Sequence, residues 1–370
     1  MTVAAARAAL PWMTATLEEL VSCESPSHDT AATLRCQELF AGIVLERLGA
    51  KPERIVLGGV THHRWTFGTP RVLLLGHLDT VWPAGTLARW PFSVGGDTAT
   101  GPGVFDMKAG VVQALCALTM LDDLDGVSLL LTSDEEVGST TSSGLVVDSA
   151  RGCAATLVCE PSADGALKTA RKGIAMYGFE VTGRASHAGL EPEKGANAAV
   201  ALAHAVVASG SLGDTALGTS VTPTVLAAGS TTNTVPAWAT AALDVRAAVP
   251  AEIPRVEEAL RAAAEAAEAA VPGTRVVMTG GLNRPPLDAQ SSAGLFALAA
   301  ELAGGLGLPA LHGVAVGGGS DGNFTAGAGI PTLDGLGAVG GGAHAEGEHV
   351  LLSAMADRAA LLAALVTAVR

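Results

Sequence analysis

The chain reads as an α/β protein: a mixed sheet flanked by helices, with a ferredoxin-like α+β domain inserted into it. Three observations predict this. Apolar runs of strand length (Val72-Leu73-Leu74-Leu75-Gly76, Val127 to Ser133, Ala154 to Cys159) alternate with segments of helical apolar spacing, and unbroken runs of that kind belong to strands covered on both faces. Over residues 174–284 the order changes to strand, helix, two strands, helix, strand, the split β-α-β succession of a ferredoxin-like unit. The 370 residues suffice for two cores. We therefore expect a first domain in two parts, residues 1–173 and 285–370, with residues 174–284 inserted as the second.

In order, Ala4 to Val21 and Thr30 to Leu48 have apolar positions at helical spacing, with Ser25-Pro26-Ser27 as the turn between them. Arg54 to Leu57 and Arg64 to Phe67 look like short strands. The strand ending at Gly76 is followed by His77-Leu78-Asp79. Ligands in open α/β sheets sit beyond the carboxyl ends of strands, so these side chains occupy a functional position. A polar loop from Pro83 to Thr100 leads through Gly101-Pro102-Gly103-Val104-Phe105 to Asp106, which opens a helix from Met107 to Leu121; an Asp there also suits a simple cap. The strand ending at Ser133 runs into Asp134-Glu135-Glu136-Val137-Gly138, and a helix follows from Ser139 to Ser149. The strand ending at Cys159 runs into Glu160-Pro161.

In the inserted region, Ile174 to Thr182, Val221 to Ala228, Thr240 to Val249 and Arg275 to Thr279 read as strands, and Gly195 to Ser209 and Glu252 to Ala270 as helices. The tail returns to α/β character. It has a helix from Ala289 to Leu302, the Gly-rich stretch Gly317 to Asn323, a strand Ile330 to Leu333, a Gly-rich loop over 335–342, His344, and a last helix Leu351 to Val369.

Composition narrows the function. A charged fraction of 16% against 49% hydrophobic is a globular balance. A net charge of −14 disfavours nucleic acid or an anionic membrane as partner. The cysteines (Cys23, Cys36, Cys116, Cys153, Cys159) are odd in number and scattered, which suits reduced thiols. The first residues lack the charged-then-apolar pattern of an export signal, and no unbroken apolar run reaches membrane-spanning length. We expect a soluble, cytoplasmic protein.

Three strands thus end in His/Asp, Glu/Glu and Glu, and Asp106 opens a helix between them. Imidazole and carboxylate suit a cation such as zinc, and a shared carboxylate can hold two ions about 3.5–4 Å apart. His77, Asp106, Glu136, Glu160 and His344 are the available set, and a dinuclear hydrolase stands beside the plainer reading of an acidic turn and structural histidines. Neighbouring residues at a strand end leave on different sides, so Glu135 and Glu136 need not share one purpose.

At this point the chain resembles a known family. His77-Leu78-Asp79-Thr80-Val81, Gly101 to Lys108, Asp134 to Ser139, Cys159-Glu160-Pro161, Ser186-His187-Ala188-Gly189 and His344 look like the ordered motifs of M20 metallopeptidases, nearest to the glutamate carboxypeptidase (carboxypeptidase G2-like) branch. The resemblance implies a zinc-peptidase-type fold and two zinc ions, with Co²⁺ or Mn²⁺ as substitutes. Asp106 would bridge both ions, His77 and Glu160 would complete one site, and Glu136 and His344 the other. Asp79 would fix the His77 tautomer, and the Asp106–Met107 peptide would be cis. Glu135 would be the general base for a metal-activated water, and His187 would donate to the oxyanion. Asn233 and Arg246 would hold the substrate carboxylate, and Lys172, Gly319 and Ser320 would line its pocket. His28, His62, His63, His204, His312 and His349 are left to structural or surface roles.

The implied activity is cleavage of the amide bond to a C-terminal amino acid, Glu-like, in a small peptide or N-acyl amino acid. The alternatives are an N-acyl amino acid deacylase or desuccinylase and, outside enzymes, an inactive binding protein of the same fold. Relatives commonly dimerise through the inserted domain, which implies a homodimer and a lid role for residues 174–284.

Overall fold

The computed structural model describes residues 2–370. The chain divides into two compact units. One comprises the chain up to Arg171 with Leu287–Val316 and Ser320–Arg370, and the other comprises Lys172–Pro286 with Gly317–Gly319.

The first unit is built on a six-stranded sheet in the order Glu53–Leu57, Val60–Phe67, Val127–Thr132, Val72–His77, Ala155–Val158, Thr332–Leu333. The first two strands and the third pair antiparallel, and the rest are parallel, so the sheet is mixed as expected. Every residue of Val72–His77 and of Val127–Thr132 is buried. Alternate side chains serve opposite faces. Leu74 packs with Met13, Leu17, Leu115 and Leu362 on one face, while Leu73 and Leu75 pack with Val146, Val158 and Phe324 on the other. Burying each such leucine stabilises the unit by about 1.5–3 kcal/mol.

Helices Val3–Ser22, Thr30–Leu48, Ala109–Thr119 and Leu352–Val369 supply the larger core. Thr30–Leu48 has sharp ends: Asp29 accepts the N–H groups of Ala31 and Ala32, and Gly49 closes the helix at φ +66°. Leu352–Val369 is long and apolar enough to cross a bilayer, yet 67% of it is buried within the fold, so it is a core helix.

The second unit is an antiparallel sheet in the order Ser220–Ala228, Trp238–Ala247, Gly173–Thr182, Arg275–Arg284. Numbered along the chain this is 2-3-1-4, the arrangement expected of a β-α-β-β-α-β unit. Ala175, Tyr177, Phe179 and Val181 alternate along Gly173–Thr182 and pack with Leu202, Val256 and Leu260 of helices Ala198–Ser209 and Glu252–Ala270.

Local departures from expectation cluster near the functional edge. The helix expected from Met107 begins at Ala109, because Val104–Lys108 is a distorted turn. The helix expected from Ser139 begins at Ser143; Glu135–Val137 forms a short 3₁₀ turn and Ser139 adopts φ +54°. The Pro83 to Thr100 loop contains strands Ser93–Gly95 and Thr98–Thr100, which join Gly340–Gly341 and His349–Leu351 in a small sheet. A further parallel pair, Leu167–Arg171 with Gly313–Val316, is not among the strands expected from the sequence.

Candidate metal centre

In the central sheet His77 pairs with Thr132, so the His77 and Glu135-Glu136 segments leave two adjacent parallel strands at the same edge. Leu75 pairs with Val158 on the other side, which brings Glu160 to that edge too. Glycines make the last approach. A Cβ at Gly110 would lie 2.0 Å from the Cys159 carbonyl oxygen and one at Gly337 2.1 Å from it, so only glycine lets these segments close on the turn that carries Glu160.

The result is a convergence of lone pairs. His77 Nε2 is 3.5 Å from Asp106 Oδ1 and 3.5 Å from Glu160 Oε1. His344 Nε2 is 3.5 Å from Asp106 Oδ2 and 3.1 Å from Glu136 Oε2. Asp106 therefore stands between two histidines, one carboxylate oxygen toward each. Glu135 belongs to the same cluster, with a ligand atom within 4.8 Å of those of His77 and Glu160. His77 is almost wholly buried, whereas the His344 side chain is half exposed, at φ +61°. The Asp106–Met107 peptide is cis, as the resemblance implied.

Each group is held from behind. His77 Nδ1 faces the main-chain carbonyl of Asp79 at 3.0 Å and its carboxylate at 3.5 Å, so Nδ1 carries the proton and Nε2 turns its lone pair to the cluster. The Asp79 carboxylate also accepts from Ser27 Oγ (2.7 Å) and from the backbone N–H groups of Glu135 (3.3 Å) and Glu136 (3.2 Å). It thereby orients the imidazole and the Glu135-Glu136 turn together. Asp134 locks the far end of that turn, accepting from Thr141 N and Oγ1 and from Ser142 Oγ. Gln37 secures the strand end through the Leu131 and Thr132 carbonyls and Ser133 Oγ.

Two supports escaped the sequence reading. Glu348 is fully buried and accepts from Gly103 N, Phe105 N, Asp106 N and Trp82 Nε1 at 2.8–3.0 Å, pinning the turn that presents Asp106. Arg171 is buried, bonds Asp334 through Nε and Nη2, and lies 3.5 Å from Glu160 Oε2. Neither carried a signal of its own in the sequence, since Arg171 sits beside Lys172 and Glu348 close to Glu346 in polar stretches. Lys108, at the end of the Asp106 motif, is also buried and donates to the Leu20 and Cys23 carbonyls.

The electrostatics follow from crowding. Burial alone would depress the His77 imidazole, but Asp106, Asp79 and Glu160 overcome it and hold it well above its usual range. Burial works to raise Asp106, and His344 and His77 reverse that, so its carboxyl titrates below the ordinary range. Glu136 is pushed up by burial in spite of its bond to His344. His344 is raised to about 10 by Asp106 and Glu136. Among the described residues, His77 Nε2, Asp106 Oδ1 and Glu136 Oε1 are buried with no hydrogen-bond partner. Carboxylates crowded this closely call for positive charge between them, which protons on the two imidazoles or a metal ion can supply, and once those protons are displaced the nitrogen and oxygen donor set fits zinc or a similar divalent ion.

The remaining expected residues lie in or beside the second unit. His187 is exposed, and its Nδ1 accepts from Gly189 N and Leu190 N (both 3.1 Å), which leaves Nε2 as the protonated, donating nitrogen. Its loop bridges to Thr234, and Ala188 N donates to the carbonyl of Asn233, itself exposed. Arg246 is half-buried, and both arms of its guanidinium engage Asp244 (2.8 Å each). Lys172 is partly buried at the start of the unit, and Gly319 lies in its short 317–319 segment. Ser320 belongs to the first unit; it is buried, and its hydroxyl donates to Asp334. That bond ties Ser320 to the Arg171–Asp334 pair and occupies the hydroxyl proton that a substrate contact would use.

The fold and these motifs have counterparts. The chain is 32% identical over 375 residues to carboxypeptidase G2 of Pseudomonas sp. (strain RS-16), covering 96% of this chain and 89% of that one. A succinyl-diaminopimelate desuccinylase of Aromatoleum aromaticum is 34% identical over 190 residues, covering 46% of this chain and 48% of that one. Among solved structures, a tripeptidase from Staphylococcus aureus superposes with a TM-score of 0.78 at 20% identity, covering 96% and 97% of the two chains. A dinuclear metal binding peptidase of the M20 family from Bacillus subtilis superposes with a TM-score of 0.68 at 16% identity, covering 98% and 100%. The model of peptidase family M20/M25/M40 matches residues 73–368. That span contains the whole acceptor cluster, and the chain is a member of this family, a metal-dependent hydrolase.

Proposed function

We propose that the protein is a di-zinc carboxypeptidase that releases a C-terminal amino acid, glutamate or one like it, from a peptidyl or N-acyl substrate. The observation that carries this reading is the placement of Glu135 within the His77 and Glu160 ligand cluster, on a turn whose two N–H groups are fixed by Asp79. Likeness along almost the whole chain to a carboxypeptidase supports the amino-acid side of the substrate. A cavity of about 430 Å³ lined by Pro26, Ser27, Thr80, Val81, Pro83 and Glu136 borders the ligand cluster and supports an apolar acyl or aryl group beside it.

His77, Asp106 and Glu160 would hold one cation, and Asp106, Glu136 and His344 the other. A bound pair supplies a Lewis acid for the scissile carbonyl and lowers the pKa of the attacking water. Glu135 takes the proton from that water at its carboxylate and returns it to the leaving amide nitrogen. His187 offers Nε2–H to the oxygen that gains charge at the carbonyl carbon. Arg246 and Asn233 hold the free carboxylate of the departing residue, with the guanidinium prealigned by Asp244 and the fork matching a planar carboxylate. Lys172 and Gly319 belong to the same binding surface in this reading.

A homodimer and a cytoplasmic setting belong to the proposal as well. Exposed Val225, Trp238 and Leu226 on the second unit support the first, and scattered thiols suited to a reducing compartment support the second. The test is a substrate panel on the zinc-loaded protein. Folyl- and benzoyl-glutamate are expected to turn over at least about tenfold faster, in kcat/KM, than N-acetyl and N-succinyl amino acids. The reverse order would assign the chain to the deacylases, the reading that likeness to desuccinylases favours.

A further inference from the structure

Helix Leu352–Val369 buries most of its length in the first core, but part of its N-terminal half borders a cavity of about 320 Å³. The opposite walls are the 308–312 segment, the turn at 164–166 and Val339. The volume falls at the lower end of the ~300–1,000 Å³ range of small-molecule pockets. The cavity shares no lining residue with the metal centre. Leu308, Leu311, Val339, Ala354 and Leu361 make most of its surface apolar.

Arg358 is the exception. It lines the cavity and is only 7% exposed. Its Nη2 donates to the Gly165 carbonyl, and among the described residues its Nη1 has no partner. The adjacent Asp357, which also borders the cavity, does not neutralise it, because Arg7 takes that carboxylate through Nε at 3.2 Å and Nη2 at 3.0 Å. Burial pushes the Arg358 guanidinium down to about 10. Among the groups that folding can bury, a cation without a counter-charge is one of the costliest. The other buried arginine of this unit, Arg171, shows the usual remedy by pairing with Asp334.

We propose that this cavity is a second binding site, which takes a small amphipathic monocarboxylate with its carboxylate on Arg358 and its chain or ring against Leu308, Leu311 and Leu361. A guanidinium is the natural partner of a carboxylate. One guanidinium, with the imidazole of His312 and the acids Asp164 and Asp357 also on the walls, favours a monoanion over a phosphate dianion. Apolar walls select a ligand with a hydrocarbon body over acetate or a free amino acid. Amide hydrolysis generates a carboxylic acid at every turnover, so ligands of this class accompany the enzyme wherever it works.

The experiment uses the metal-loaded protein, titrated calorimetrically with benzoate and hexanoate, together with crystals soaked in 4-bromobenzoate and located by bromine anomalous scattering. The expected result is a bromine peak in the cavity with its carboxylate on Arg358. Affinity is expected to fall about tenfold or more in Arg358→Met and for neutral hexanol in place of hexanoate. Ala354→Leu fills the cavity while leaving the guanidinium in place, and it weakens binding similarly if the site is real; it keeps the test open should Arg358→Met fail to fold. Bromine at the metal centre alone, or nowhere, would overturn the proposal, as would hexanol binding as tightly as hexanoate or undiminished affinity in the folded variants.

Discussion

The two units hold the side chains proposed to act in hydrolysis in different ways. In the first, Asp79, Glu160 and Glu348 are buried and each is fixed by neighbours from distant parts of the chain, while His77, also buried, leans on Asp79 and through it on that network. In the second, His187 and Asn233 are exposed on loops that brace each other, and Arg246 leans on Asp244 two residues away. The difference matches what each kind of group must do. A metal cage has to gather like charges against their repulsion, which only a rigid, many-sided scaffold can enforce. A substrate contact has to meet something arriving from solvent, so it stays accessible and relies on short-range bonds for its orientation.

Several substitutions would sharpen or break that division. The largest effect is expected from Glu135→Gln, which should lower kcat by about 10²–10⁴-fold while metal content is unchanged; retained turnover would remove Glu135 from its role. His187→Ala should cost about 10²–10³-fold in kcat, again with metal retained, and a loss of metal in this variant would contradict the separation of tasks. Asp79→Asn should weaken metal affinity about 10–100-fold, measured by competition with a chelator. Arg246→Ala should raise KM about tenfold with kcat little changed, the signature of lost binding that is uniform along the reaction.

The smallest expected effect is chemical and lies within the first unit, which contains all five cysteines. The Cys23 thiol is held below its usual range, chiefly by its hydrogen bond with Cys36 and further by Lys108 and Arg35, against the opposing effect of burial. Burial pushes Cys116 up to about 11 and Cys159 up to about 12. Because the thiolate is the reactive form, a lowered value keeps Cys23 reactive as the pH falls below the ordinary thiol range, while raised values silence the others. Iodoacetamide at pH 7 should therefore label Cys23 first, and equal labelling of Cys116 would contradict this.

Much of this was legible in the sequence because burial leaves a strong pattern. Unbroken apolar runs marked Val72–His77, Val127–Thr132 and Ala155–Val158, and the ends of those runs marked His77, Glu135-Glu136 and Glu160. The alternation in Gly173–Thr182 likewise marked a sheet with one covered face. Supports such as Glu348 and Arg171 were not legible. Their importance lies in partners far away in the chain, and a charge among other charged residues in a polar stretch looks like a solvated side chain until those partners are known. The short strands near residues 93–100 and 340–351 were hidden because each spans only two or three residues, and the pairing that joins the two hairpins, His349–Leu351 with Thr98–Thr100, depends on chain returning from far away. Asp79 was recognised as a neighbour of His77, but its hold on the Glu135-Glu136 backbone could only be seen once the two strand ends were side by side.

Anomalous diffraction at the zinc edge, from crystals of the wild-type protein and of Glu135→Gln grown with zinc, tests the metal cage most directly. Two peaks per chain are expected in both, with Asp106 between them, His77 and Glu160 on one, and Glu136 and His344 on the other. A single peak, peaks away from these five side chains, or loss of zinc on replacing Glu135 would contradict the account.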